Sequence, residues 1–191
     1  MEGTNPPPRH RVFVSYHDGR RDGGTGDYAY RILFEQRFSG STEAFICAAV
    51  QDGDIDLSIS TEVTRQRIRD EYLRNSSVTV VLVGARTWQR KHVDWEIGSS
   101  LRHTAFNSRS GLLGILLPTY PGYPARYNPH TIPPRLYDNL QCGYATLHPW
   151  TDDPAQLKVW IHEAFLRKDR VIPHNSRVHF AQNRTGPSWI D

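Results

Sequence analysis

A run of eight residues in the middle of the chain, Ser77 to Gly84, restricts the fold more than any other segment. It reads Ser-Val-Thr-Val-Val-Leu-Val-Gly and is apolar almost throughout. A strand with one exposed face alternates polar and apolar residues, whereas a parallel strand covered on both faces is continuously apolar. The run therefore predicts the central strand of a parallel sheet with helices on both faces.

Further strands and helices alternate on either side of this run. Short β-branched or apolar runs predict strands at Arg11–Tyr16, Ala44–Val50, Gly111–Pro118 and Tyr144–His148. Helical spacing and capping residues predict helices at Tyr28–Phe38 with Asp27 as N-cap, from Thr61 to about Leu73, at about His92–His103, and after Asp152, Asp153 and Pro154. This alternation predicts an α/β fold with a mostly parallel sheet.

The length of 191 residues fits one domain. We expect a flexible Pro-rich tail over residues 1–10, the domain over 11–170, and an extended C-terminal extension over 171–191. The segment Thr119–Gln141 is rich in Pro, Tyr and Asn, and it is long for a connection. We interpret it as an irregular surface excursion that covers a site as a lid.

Composition excludes several classes of function. Lys and Arg exceed Asp and Glu by 23 to 20 and the charges are interspersed, so no nucleic-acid partner is expected. Cys47 and Cys142 lack a C-x-x-C partner and the histidines lack H-x-x-x-H spacing, which gives no support for a disulfide scaffold or a metal site. No apolar stretch reaches the ~18 residues of a membrane span, so no membrane partner and a cytoplasmic location are expected.

In open α/β sheets, ligands bind at the carboxyl ends of the strands. That rule directs attention to four segments that follow predicted strands: His17–Gly26, Gln51–Ser60, Gly84–Asp94 and Thr119–Gln141. The first contains Gly23, Gly24 and Gly26, whose backbone amides suit a diphosphate as well as a flexible loop.

Glu96 is the candidate catalytic carboxylate. With Asp94 and Trp95 it follows the central strand at the start of a predicted helix, where the helix dipole stabilises negative charge. A fixed anion at the mouth of a sheet offsets positive charge that develops on a sugar carbon, as when nicotinamide leaves a ribose. The alternative is an ordinary acidic residue in a first helical turn, which needs no function.

Two groups of side chains accompany Glu96 as candidate substrate-binding residues. Helical spacing places His92 on the same face, and Thr87 and Trp88 precede it in the same loop. Ser15, Tyr16 and His17 emerge at the end of the first strand, where the tyrosine ring suits stacking on a base or on nicotinamide. The alternative for Tyr16 is half-buried packing.

Three blocks, in this order, resemble Toll/interleukin-1 receptor (TIR) domains and in particular the TIR-like proteins of the bacterial Thoeris anti-phage system. They are VFVSY at Val12–Tyr16, IRDEYLRNSSVTVVLVG at Ile68–Gly84 and VDWEI at Val93–Ile97. TIR domains often carry Trp where this chain has His92, and the loop after the second strand lacks an evident match to the family's usual pattern.

The resemblance implies a flavodoxin-like TIR-like fold of five parallel strands and an enzyme that cleaves NAD, without a metal, to nicotinamide and a cyclic or linear ADP-ribose product. Glu96 falls on the family's catalytic glutamate, and Ser15 and Tyr16 fall on the strand end that lines the nicotinamide-ribose pocket. NAD is then substrate, and no cofactor is expected. The implied partners are an effector protein activated by the product and, as an open question, a second copy of the chain.

Two other functions remain open from the sequence. A non-catalytic TIR-type interaction module has the same fold, because one fold hosts many functions. A nucleotide sensor that binds without cleaving is also compatible with these residues. The presence of Glu96 together with Ser15 and Tyr16 favours the enzyme.

Overall fold

The structure is a computed structural model that describes residues 9–20, 26–38, 47–48, 63, 73–74, 76–104 and 108–190. In chain order the elements are β1 (Val12–Ser15), α1 (Gly26–Phe38), β2 (Cys47–Ala48), β3 (Val78–Val83), α2 (Lys91–Ser100), β4 (Gly111–Leu116), α3 (Pro134–Gln141), β5 (Ala145–Pro149) and α4 (Pro154–Arg167). Single 3-10 turns at Thr87–Gln89 and Pro129–Thr131 precede α2 and α3.

The strands pair in parallel in the order β2-β1-β3-β4-β5. Val78 of β3 is in register with Val12 of β1 on one side and with Gly111 of β4 on the other. All six residues of β3 are buried, as their continuous apolar character predicts. The predicted α/β class, the parallel sheet and the central position of this strand are confirmed.

Helices cover both faces of the sheet, and the alternation of side chains along the strands decides which face each residue joins. Phe34 of α1 and Leu157 of α4 pack on the face that Val80 presents. Val93 of α2 and Leu136 of α3 pack on the opposite face. Glu96 therefore lies on the α2 side of the sheet.

α4 begins at Pro154, as predicted. The Asp153 carboxylate caps the helix by accepting a hydrogen bond from the Ala155 amide at 2.9 Å. The prediction that Asp27 caps α1 is wrong. The helix begins at Gly26, so Asp27 lies inside the first turn with its side chain buried against Thr87 and Thr119.

The prediction that Thr119–Gln141 is irregular is also wrong for its second half. α3 begins at Pro134, where a missing amide hydrogen costs nothing, and it packs Leu136 into the core. The helix predicted from Thr61 to about Leu73 lies outside the described residues except at its ends, as does most of the expected N-terminal tail.

The expected C-terminal extension carries no helix or strand in its described part, residues 171–190, yet it is packed on the domain. Phe180 and Trp189 are buried, and the Trp189 indole donates a hydrogen bond to the Ile132 carbonyl at 2.8 Å. The Asn183 side chain accepts a hydrogen bond from the Lys91 amide at 3.0 Å, which caps the start of α2. This segment thus stabilises the helix that carries Glu96.

Across the part of the chain that the structure describes, no helix has both the length and the apolar character needed to span a bilayer.

Candidate functional site

Glu96 lies in the second turn of α2, because the helix begins at Lys91. Asp94 occupies the first turn, where the effect of the helix dipole is concentrated. The prediction that Glu96 lies at the start of the helix is therefore wrong, and a different contact must hold its carboxylate. Its side chain is 4% exposed, so the carboxylate is not a solvated surface group.

That contact comes from Ser15, the last residue of β1. The Ser15 hydroxyl donates a hydrogen bond to Glu96 Oε2 at 2.5 Å, within the range of charge-assisted O–H···O⁻ bonds. Both side chains are buried. The bond fixes a carboxylate at the carboxyl end of a central strand, where ligands of parallel sheets bind.

Tyr16 lies on the other side of the sheet from Ser15, since successive side chains along a strand alternate. Its ring joins the core cluster that contains Phe34 and Phe38. Burial, followed by the negative charge of Asp18, raises the pKa of Tyr16 to about 12, and the charge of Glu96 adds a smaller contribution. The ring is a packing element whose phenol stays protonated at neutral pH.

The buried Tyr16 hydroxyl makes no hydrogen bond to any residue within the described ranges. A buried polar group without a partner costs free energy, so Tyr16→Phe is expected to raise the free energy of unfolding by about 1 kcal/mol. Urea denaturation measures this change. A loss of stability would contradict the absence of a partner, whereas a gain of stability with weaker NAD binding would mean that a ligand takes the hydroxyl as its partner.

His17 and Asp18 continue the edge beyond β1, and both are buried against arginines. Arg90 Nη2 lies 2.9 Å from His17 Nε2. Arginine only donates, so this nitrogen is the acceptor in the contact. A hydrogen bond from Arg20 holds the pKa of Asp18 below its usual range, and the Arg20 guanidinium stacks on the Tyr28 ring at 3.9 Å.

The remaining predicted site residues come from the segment between β3 and α2. Thr87 is fully buried, and its hydroxyl accepts from the Gly84 amide at 2.8 Å and donates to Asp27 at 2.9 Å. Trp88 is also buried, while the half-buried His92 contacts the Trp95 ring edge-on at 5.3 Å between centroids. The structure brings these residues to the same edge as Glu96. Their contact with a substrate stays a prediction. The other candidate segments, Gly23 with Gly24 and Gln51–Ser60, lie outside the described residues.

Asp94, two residues before Glu96, has a structural role that its position in the sequence does not reveal. Arg135 of α3 donates to it at 3.0 and 3.4 Å, the Phe180 amide donates at 3.0 Å, and His179 Nδ1 lies at 3.3 Å. Burial raises the pKa of Asp94, but hydrogen bonds from His179 and Arg135 and the charge of Arg135 outweigh burial and hold it below its usual range. Asp94 thus joins α2 to α3 and to the C-terminal segment.

Arg135 and Asp27 are residues that we did not single out from the sequence for the site region. Arg135 is fully buried although arginine is normally a surface residue, and Asp27 was expected only to cap a helix. Among the residues that the structure describes, no three His, Cys, Asp or Glu side chains are grouped as metal ligands.

Comparison with known proteins identifies a family. Residues 13–121, more than half of the chain, match the family model described as Thoeris protein ThsB, TIR-like domain. The matched region includes β1 from Phe13 onward, β3, α2 and β4, and thus both Ser15 and Glu96. No curated protein matches the chain.

Proposed function

Because the chain belongs to the family of Thoeris ThsB proteins with a TIR-like domain, we propose that it is an NAD-cleaving enzyme of Thoeris anti-phage defence. It releases nicotinamide and forms an ADP-ribose product, cyclic where an internal nucleophile is used. The observation that supports this most is the buried Glu96 carboxylate, held by Ser15 at the carboxyl end of β1.

The geometry suits the charge that such a reaction develops. When the bond between ribose C1′ and the nicotinamide nitrogen breaks, its electron pair leaves with nicotinamide, which becomes neutral, and the ribose becomes an oxocarbenium-like cation. A carboxylate fixed in a buried site stabilises that cation without reorganising. Water, or a hydroxyl or adenine nitrogen of the same molecule, then bonds to C1′, and the proton lost by that nucleophile passes to solvent.

The choice between a linear and a cyclic product depends on how well water is excluded. The segment that follows β4, from Thr119 to Gln141, reaches the same edge of the sheet through the hydrogen bond between Thr119 and Asp27 at 3.0 Å. We propose that this segment closes over the ribose and favours the internal nucleophile. The product then acts as a signal that a separate effector protein binds, with NAD as substrate and no cofactor.

The proposal is tested by incubating the purified protein with NAD, alone and with lysate from infected cells, and resolving nicotinamide and ADP-ribose products by chromatography. The Glu96→Gln variant in the same lysate corrects for NAD consumption by other enzymes. We expect nicotinamide in at least one wild-type arm. NAD binding without nicotinamide in either arm would support a nucleotide sensor, and the absence of both binding and release would support a non-catalytic interaction module.

A further inference from the structure

Asp27 is a buried carboxylate with no part in the proposed chemistry. It lies in the first turn of α1 and is 3% exposed. Its two oxygens accept hydrogen bonds from two threonines, Oδ2 from Thr87 at 2.9 Å and Oδ1 from Thr119 at 3.0 Å. A carboxylate buried to this extent carries a desolvation cost, so its retention at this point requires a reason.

The two threonines belong to different segments of the carboxyl edge. Thr87 lies in the turn between β3 and α2, the helix of Glu96, and it also accepts a hydrogen bond from the Gly84 amide at 2.8 Å. Thr119 follows β4 and begins the excursion that leads to α3. One carboxylate therefore joins the start of α1, the approach to the Glu96 helix and the excursion.

The fit around this carboxylate is close. A Cβ atom on Gly84 would lie 1.9 Å from Asp27 Oδ1, far inside van der Waals contact. Only glycine at the end of β3 lets the backbone approach so closely. The strand end is thus shaped around the Asp27 side chain, which indicates a defined cluster and not an incidental contact.

We propose that Asp27 is a positioning residue for NAD cleavage: in its ionised form it holds Thr87 and Thr119 together, so that the Glu96 helix and the excursion take their reactive arrangement. This inference rests on the proposed function and assigns Asp27 no contact with substrate. It implies that the proton occupancy of Asp27 controls the rate.

Burial raises the pKa of Asp27 to about 6, and the hydrogen bonds from Thr87 and Thr119 oppose that rise. Among the described residues, the groups facing it are uncharged, namely the Gly84 amide and Thr87 from the β3–α2 side and Thr119 from the β4 side. On its own helix, Arg31 one turn away is paired with Glu35. No charge on a described side chain contributes to the shift.

Protonation changes what Asp27 can do. The ionised carboxylate accepts from both threonines. The neutral acid donates its own hydrogen, so one threonine hydroxyl must turn from donor to acceptor and direct its hydrogen elsewhere. The positioning is therefore complete well above pH 6 and relaxes as the pH falls through 6. We expect wild-type kcat to decline below pH 6 toward a lower plateau.

Asp27→Asn imitates the neutral acid at every pH. We expect its kcat at pH 8 to be about 10-fold below wild type, with little change in KM. Its pH–rate profile should have no acid limb, that is, no decline in kcat as the pH falls from 8 to 5. Its urea midpoint at pH 8 should exceed that of wild type, since the cost of a buried charge is gone, and the difference should close toward pH 5. The exposed Asp169→Asn variant serves as the matched control and should keep the wild-type profile.

Thr119 provides a second test. Thr119→Val removes one hydrogen bond that lowers the pKa of Asp27, so the acid limb should move to higher pH, whereas Thr119→Ser should leave it in place. An acid limb that persists unchanged in Asp27→Asn, or one that Thr119→Val leaves unmoved, would overturn the proposal.

A carboxyl titration distinguishes failure of this inference from failure of the proposed function. The ¹³C shift of the Asp27 carboxyl, followed by NMR, should titrate near pH 6 together with the amide shifts of Thr87 and Thr119, whether or not NAD is cleaved. Titration near the usual aspartate value of ~3.9 would overturn the positioning role. Absence of nicotinamide release at every pH, with the coupled titration intact, would overturn the proposed function and with it the effect of Asp27 on the rate, but not the coupling of Asp27 to Thr87 and Thr119.

Discussion

Glu96→Gln is expected to lower the rate of nicotinamide release by about 10³-fold or more while the protein stays folded. Glutamine has nearly the same size, and its oxygen still accepts the hydrogen bond from Ser15, so the packing of α2 is retained. It carries no charge, so it cannot stabilise a ribose that becomes cationic as nicotinamide leaves. Single-turnover assays with excess enzyme measure the chemical step directly.

Glu163→Gln is the matched control for that experiment. Glu163 is about half exposed on α4, which packs on the opposite face of the sheet from α2, and its loss should leave turnover unchanged. The unfolding free energy of Glu163→Gln should agree with that of wild type within about 1 kcal/mol, and the same denaturation assay should show that Glu96→Gln is folded. Undiminished nicotinamide release by a folded Glu96→Gln protein would remove Glu96 from the mechanism.

The sheet could be predicted from the sequence because its central strands carry their own signal. Continuous apolar runs marked β3 and β4 to within two residues of their bounds. Ser15 and Glu96 are 81 residues apart, and the rule that parallel strands present their carboxyl ends at one edge directs attention to the segments beside both. The resemblance to TIR domains is what singles out these two residues, and no local pattern predicts the hydrogen bond between them.

Other features depend on contacts that no local pattern contains. Pro134 and the residues around it suggested a loop, although proline at the first position of a helix is favourable and α3 begins there. The bond between Asp27 and Thr119 joins residues 92 positions apart through one buried carboxylate. The C-terminal segment lacks periodicity, and hydrogen bonds to residues of α2 and α3 hold it on the domain.

Arg135→Met is expected to lower the free energy of unfolding by about 3–5 kcal/mol. Arg135 is fully buried and binds both oxygens of Asp94, and it also donates to Asn175 at 2.7 Å and to the Arg177 carbonyl at 2.9 Å. Methionine fills much of the volume but leaves Asp94 without its main counter-charge in the interior. Urea denaturation measures the loss, and faster hydrogen exchange of the Phe180 amide would locate it.

Removing one partner of a buried ion pair is destabilising mainly because the other charge stays buried without a partner. Arg135 differs in this respect from an arginine at the surface. Arg37→Met is the control, because Arg37 pairs with Asp152 at the exposed surface and its loss should cost less than about 1 kcal/mol. The double variant Asp94→Leu/Arg135→Met should be more stable than Arg135→Met alone, since no charge is then buried unpaired.

The pH dependence of this pair has the opposite sign to that of Asp27. The pKa of Asp94 is lowered in the folded state, so the stabilisation is present above its unfolded pKa of ~3.9 and is lost as the pH falls through the folded value. The gap in stability between wild type and Arg135→Met should therefore be widest near neutrality and should narrow below pH 4. A gap that stays constant from pH 7 to 3 would mean that lost packing, and not the unpaired Asp94, causes the destabilisation.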